Sequence, residues 1–276
     1  MFDPEDDVTL AESAGLNISW ANNQTLQFAE SIQVEETQTR TVSHLLPVAL
    51  DSIEHLPPDR VQYWMYNGVS QRRDRERVTN TGLRYNLTVL SPHTLGRERS
   101  KTLGHRHSKQ LSSTLDYHEL CEVISGSAWF LFQVLDEASR TAPFCAMLQA
   151  KAGDKIVVPP NLYHVVINAG HDPLLFASVV PLGIKRVYQP LSELHGTAWL
   201  NIVEQGWIKN PHYRSVADPL WWQPTNYPDL QLTTTQPLYR TLIQSPESLL
   251  WLLEPISFPD IFPDIWDGIV KLGVTF

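Results

Sequence analysis

The feature that most limits what this chain can become is Gly104-His105-Arg106-His107, answered far downstream by Val157-Val158-Pro159-Pro160-Asn161-Leu162-Tyr163-His164 and then Asn168. Two histidines two residues apart share a face only on a β-strand, where side chains alternate with period two. On a helix the same spacing would splay them apart. The third histidine lies on another apolar run, just past a Pro-Pro turn. Three imidazoles joined by a carboxylate suit a divalent transition metal with open positions. The pattern therefore predicts a metal held inside a β-barrel.

Bulk properties limit the alternatives. A chain of 276 residues with 42% hydrophobic side chains can build a substantial core, as one large domain or one domain with extensions. A net charge of −9 argues against a general nucleic-acid binder, although a locally basic pocket could still take a small anion. Cys121 and Cys145 form neither a disulfide framework nor a zinc-knuckle spacing, and both lie in apolar runs, so they read as buried small hydrophobes. No signal-like leader and no apolar run of membrane-spanning length is evident, so the expectation is a cytoplasmic protein without membrane or nucleic-acid partners.

Three regions are expected. Residues 1–59 form an N-terminal polar extension; its first 40 residues carry eight acidic side chains and one basic one. A short strand is expected near Leu16 to Trp20, and a short helix from about Leu46 to His55. Gln71 to Arg77 reads as a solvated, mixed-charge loop. Residues 60–195 form the barrel, with strand patterns at 61–66, 83–90, 119–124, 128–135, 143–148, 155–158, 164–168 and 174–180. Residues 196–276 form a Pro- and Trp-rich C-terminal extension that packs on the barrel or on a dimer partner. One helix is signalled there, with Ser245 as N-cap, Pro246 at the first helical position, and apolar residues to Leu253.

Asp116, Glu119 and Glu122 compete for the role of fourth ligand. Glu119 is followed by six residues and then Gly126, the spacing of the first cupin motif, in which His-x-His precedes a glutamate and then a glycine. Gly153, Pro159, His164 and Asn168 match the second cupin motif, with Asn161 in a glycine slot; asparagine tolerates the left-handed conformation such a slot implies. Arg99 stands where the first motif has its leading glycine, and the eleven residues between His107 and Glu119 imply a longer loop at Ser108 to Asp116. The chain thus resembles the cupin superfamily. This implies an all-β cupin barrel (RmlC-like jelly roll) with an N-terminal extension and a mostly irregular or helical C-terminal tail. It also implies the metal ligands His105, His107, Glu119 and His164.

A narrower resemblance rests on Tyr85 to Pro92, Lys101 to His107, Val157 to His164, and Asn168-Ala169-Gly170. Over roughly residues 58–195 these are similar to the cupin-type phosphoglucose isomerases. That likeness implies sugar-phosphate contacts at Thr88, Thr102, Gly104 and Tyr188. Without a phosphate to bind, Thr88 and Thr102 are ordinary β-branched strand residues and Tyr188 a barrel-edge aromatic. The family's pocket tyrosines are replaced at Cys121, Asn161 and Val180; strand period points Tyr163 and His118 elsewhere, so neither compensates.

The resemblance implies a metal-dependent aldose–ketose isomerase, interconverting glucose 6-phosphate and fructose 6-phosphate through a cis-enediolate, in a homodimer. It implies one divalent metal per chain, Fe(II) preferred, with Mn, Ni, Co or Zn possible. Glu119 is the expected base, its carboxyl raised by apolar surroundings above the ordinary value of about 4.3. The rival readings are a cupin Fe(II) dioxygenase and a non-catalytic sugar-phosphate-binding cupin.

Overall fold

The computed structural model describes residues 9–111 and 113–270; residues 1–8, 112 and 271–276 of the expected extensions and loop lie outside the described residues. Two β-sheets face one another. The strands are β1 (Glu36–Thr41), β2 (Val61–Asn67), β3 (Leu83–Leu90) and β4 (Arg106–His107). Next come β5 (Glu119–Ser125), β6 (Ser127–Asp136), β7 (Thr141–Lys151), β8 (Lys155–Val158) and β9 (Tyr163–Asn168). The last are β10 (Leu174–Pro181), β11 (Arg186–Val187), β12 (Ser215–Val216) and β13 (Leu220–Trp222). One sheet has the order β8-β5-β10-β3-β2-β1; the other runs β9-β6-β7-β12, with β13 also pairing β7.

Alternation along these strands sorts the core. Tyr63, Met65, Cys121, Val123, Phe130, Phe132, Ile156, Val158 and Phe176 point inward and fill the space between the sheets. Gly126 carries the chain from one sheet to the other in a single residue, at φ +89°. A Cβ there would also crowd the Pro173 carbonyl at 3.3 Å, so glycine is needed on both counts. This is the expected all-β, jelly-roll barrel of cupin type, and the eight strand patterns between residues 61 and 180 all form strands.

The barrel sheets draw strands from beyond residues 60–195: β1 pairs antiparallel with β2, and β12 and β13 pair parallel with β7. The expected strand near Leu16 to Trp20 is present as Ile18–Trp20, paired with Leu26–Phe28. Among the described residues no helix is long and apolar enough to cross a membrane.

Three local expectations need correction. The helix expected at 46–55 instead starts at Val42 and ends, as a 3-10 turn, at Val48. Thr41 caps it earlier, exchanging hydrogen bonds with His44, while Lys101 Nζ claims the Val48 carbonyl and Glu98 claims the Leu50 N–H. Residues expected as a loop at 71–77 form a 3-10 turn at Arg72–Asp74 and helix α1 (Arg75–Asn80), anchored by buried Val78. The stretch Pro246–Leu253 is 3-10 rather than α-helical, and Ser245 makes no side-chain cap. Barrel side chains take its carbonyls instead: His118 Nε2–H donates to Trp251 O at 2.8 Å and Gln110 Nε2–H to Leu253 O at 2.8 Å.

The C-terminal segment packs on the barrel. Leu238, Leu242, Leu249, Leu252 and Phe258 are all fully buried against the outward-facing Tyr85, Leu87, Leu120, Leu175 and Ala177. Full burial of one such side chain contributes about 1.5–3 kcal/mol, so the five together match a typical domain's entire net stability. Helix α2 (Leu238–Gln244) is also pinned by a polar contact. Its Leu238 N–H donates to Glu122 Oε2 at 2.8 Å, and Lys155 Nζ bonds Glu122 Oε1 at 2.6 Å, both side chains being buried. Glu122→Ala should strand the Lys155 ammonium and the Leu238 N–H together, costing about 3–5 kcal/mol in urea unfolding. Glu122→Leu combined with Lys155→Met should recover part of that loss, because no charge is then left buried.

Candidate metal centre and active site

Backbone pairing assembles the ligands. His105 N–H donates to His164 O at 3.0 Å and His164 N–H to His105 O at 2.9 Å, so two chain segments far apart in sequence lie side by side. Gly104 precedes this pair at φ +72°; a Cβ there would meet Leu191 at 2.9 Å and the His164 carbonyl at 3.3 Å. Asn161 does adopt the left-handed conformation, at φ +63°, and its Oδ1 accepts from Asp116 N–H at 2.7 Å, tying the turn before His164 to the loop before Glu119.

Alternation then turns His105 and His107 to the same side, while Arg106 points away to pair with Asp116 at 3.3 Å. Glu122, on the outer face of β5, is held by Lys155. Of the three competing carboxylates, only Glu119 reaches the histidines. His105 Nε2 and His107 Nε2 are 3.1 Å apart, and Glu119 Oε2 lies 3.5 Å from His107 Nε2 and 3.3 Å from His164 Nε2. One ligand atom from each of the four falls within 4.8 Å of the others. The donor set fits a divalent metal. His107 Nδ1–H donates to Tyr117 O at 3.0 Å, which turns the Nε2 lone pair inward as a metal ligand requires.

A cavity opens beside these ligands, lined by Tyr63, Thr88, Thr102, Ser178, Arg186 and Tyr188, with Cys121 in its wall. Thr88, Thr102 and Tyr188 are all in this lining, the Tyr188 ring 5.7 Å from that of His105. Thr102 Oγ1 accepts the Val166 N–H at 3.1 Å, which leaves its own hydroxyl proton free to donate. Gly104 is absent from the lining; its open side faces Leu191. Tyr163 bonds Glu137 and His118 stacks on Trp251, so neither reaches the cavity. Tyr63, Ser178 and Arg186 are lining residues that sequence reasoning passed over. Counting back two from Tyr188 along β11 finds Arg186.

The ionisation of the site departs from expectation. Burial does push the Glu119 carboxyl upward, but the His164 hydrogen bond and the nearby His107, His164 and Arg186 outweigh it and hold the group down at about 2. Burial pushes His107 down to about 3 despite the pull of Glu119, and pushes His105 well below its ordinary value. An ionised carboxylate with neutral imidazoles is the state a metal binds. His118, away from the site, is also driven down by burial, to about 4. Unfolded, these histidines take up protons near pH 6.5, so the unfolded state binds more protons below that pH and stability falls. The metal-free protein should lose about 1.4 kcal/mol per pH unit for each of His107 and His118 as pH drops from 6.5 toward 4. Burial raises the Glu122 carboxyl to about 7, which acts with the opposite sign over this range. Urea titrations of wild type beside His118→Gln at pH 7, 6 and 5 therefore read the histidine contribution as a difference in slope; equal slopes would contradict the buried neutral state of His118.

The profile of the family described as Glucose-6-phosphate isomerase (GPI) matches residues 35–217. The chain is similar to the glucose-6-phosphate isomerase of Pyrococcus abyssi, 29% identical over 136 residues, which cover 48% of this chain and 66% of that protein. It is also similar to that of Thermococcus onnurineus, 28% identical over 165 residues, covering 59% of this chain and 78% of the relative. Among solved structures, Bacillus subtilis oxalate decarboxylase aligns with 45% of this chain and 28% of its own, at 19% identity and a TM-score of 0.33. The family match takes in both histidine segments, Glu119, and the flanking strands β1 and β12 that complete the barrel sheets. The chain belongs to the glucose-6-phosphate isomerase family, in its cupin-type branch.

Proposed function

We propose that the protein interconverts glucose 6-phosphate and fructose 6-phosphate with the help of one divalent metal, Fe(II) being preferred and Mn, Ni, Co or Zn able to replace it. The observation that carries this reading is the convergence of His105, His107, Glu119 and His164 beside a hydroxyl-lined cavity, in a chain of this family. The reading carries with it a homodimer and a cytoplasmic location.

The four ligands would hold the metal, which supplies Lewis-acid polarisation of the substrate oxygens at C1 and C2. Glu119 takes the proton from C2 of the open-chain aldose. The C2–H electron pair becomes the C1–C2 double bond of an enediolate, and the C1 carbonyl electrons move to oxygen. Return of the proton from Glu119 to C1, with the C2 hydroxyl proton passing to the C1 oxygen, turns C2–O into the carbonyl and C1–O into the hydroxyl of the ketose. Both imidazole contacts fall on Oε2 of Glu119, so Oε1 is the oxygen available to the sugar. In the metal-free site the His164 hydrogen bond and the neighbouring His107, His164 and Arg186 outweigh burial and hold this carboxyl at about 2, where it is a weak base. Tyr63, Thr88, Thr102 and Tyr188 bind and orient the sugar phosphate through their hydroxyls.

Glu119→Gln should lower kcat by roughly 100- to 10,000-fold in a coupled isomerase assay, with KM changing far less. Absence of turnover by metal-loaded wild type would overturn the enzymatic reading. Oxygen uptake with iron bound would favour a dioxygenase. His105→Ala combined with His164→Ala should abolish bound metal by elemental analysis; unchanged stoichiometry would place the metal elsewhere.

A further inference from the structure

Among the described residues Arg186 is the one cationic side chain in the cavity lining, facing the carboxylate of Glu119 and the neutral imidazoles. Its position follows from strand register. β11 pairs antiparallel with β4, Arg186 opposite His107 and Val187 opposite Arg106. Directly opposed residues point to the same face, so Arg186 and Tyr188 flank the cavity beside His107 and His105, while Val187 points away with Arg106. Arg186 is half-buried where His107 is 3% exposed, which sets it on the solvent side of the ligand cluster.

Three other cations of the barrel, Lys101, Lys155 and Arg106, have anionic partners in Glu98, Glu122 and Asp116. Among the described residues the Arg186 side chain makes no hydrogen bond or ion pair. An unmatched cation facing a cavity, in a chain of net charge −9, marks a place for an incoming anion. Its planar fork of donors matches a phosphate group with two parallel hydrogen bonds. Gly104 adds no donor to the cavity lining, since its open side faces Leu191. The charge of Arg186 is felt across the site, where it opposes protonation of His105 and His107 and favours ionised Glu119.

We propose that Arg186 binds the phosphate of the substrate and is the side chain that makes this protein prefer phosphorylated over free sugars. This rests on the sugar-phosphate reading above and adds a charged contact to it. The sugar's reacting carbons then lie toward the ligand cluster and its phosphate toward the mouth, with Tyr188 and Arg186 on the same wall.

Calorimetric titration of metal-loaded wild type, Arg186→Gln and Arg186→Lys with fructose 6-phosphate and with inorganic phosphate tests this. Arg186→Gln should weaken both by about 10- to 100-fold and flatten the salt dependence of binding, at unchanged metal content and melting temperature. Arg186→Lys should recover part of the affinity, since it keeps the charge and loses the fork. In steady state the glutamine variant should raise KM for the sugar phosphate with kcat largely kept. Wild-type affinity in Arg186→Gln would overturn the proposal. So would a fall in kcat with binding unchanged, which would place Arg186 at the reacting carbons, and so would a wild type that binds neither phosphate nor fructose 6-phosphate. The isomerase reading fails separately, if wild type binds sugar phosphate tightly through Arg186 and yet turns none over.

Discussion

Everything at the site hangs on the reciprocal backbone hydrogen bonds between His105 and His164. They are the end of a longer zipper: Thr102 N–H bonds Val166 O, and Asn168 N–H bonds Ser100 O, so residues 100–105 run antiparallel to β9 although they are not a regular strand. Once that register is set, strand alternation decides the rest. His105, His107, His164 and Val166 face inward, and Arg106, Val165 and Ile167 face out. A slip of one residue would send His164 to the outer face and bring Val165 in. The second strand pair, β4 with β11, copies the same alternation onto Arg186 and Tyr188, so ligand geometry and substrate wall share one origin.

Period-two patterning was legible because both faces of the sheet near the site are filled, and a filled face tolerates only one register. That is why the strands could be read from residues alone, whereas the ligand set and the left-handed Asn161 came from the likeness to the cupin motifs. The choice of Glu119 over Asp116 and Glu122 was also legible. It lies on the inner face of β5, whereas Glu122 lies on the outer face and Asp116 lies in the preceding loop. Helix boundaries were not legible. At Val48, Leu50, Trp251 and Leu253 the backbone groups that would have extended or regularised a helix are taken by Lys101, Glu98, His118 and Gln110, which lie up to 143 residues away. Local pattern carries no trace of such competitors.

The state of Glu119 was hidden for a related reason. Apolar surroundings do act in the expected direction, but three neighbours contributed by different segments reverse the outcome. Arg186 escaped notice because the family pattern drew attention to Tyr188 and not to the residue sharing its face. Sequence likeness identifies positions already known to matter; geometry is needed to find the others.

Strand β5 is a wall with work on both sides. Glu119 and Cys121 face the cavity, while Leu120, Glu122 and Ile124 face the C-terminal segment. During synthesis, chain emerges at roughly 5–20 residues per second, so β5 and β10 exist for several seconds before Leu238 to Phe262 arrive to cover them. In that interval Tyr85, Leu87, Leu120 and Ala177 form an uncovered apolar surface, and Glu122 lacks the Leu238 N–H. A nascent chain stalled in that interval would already carry all four candidate metal ligands while part of this apolar face is still open.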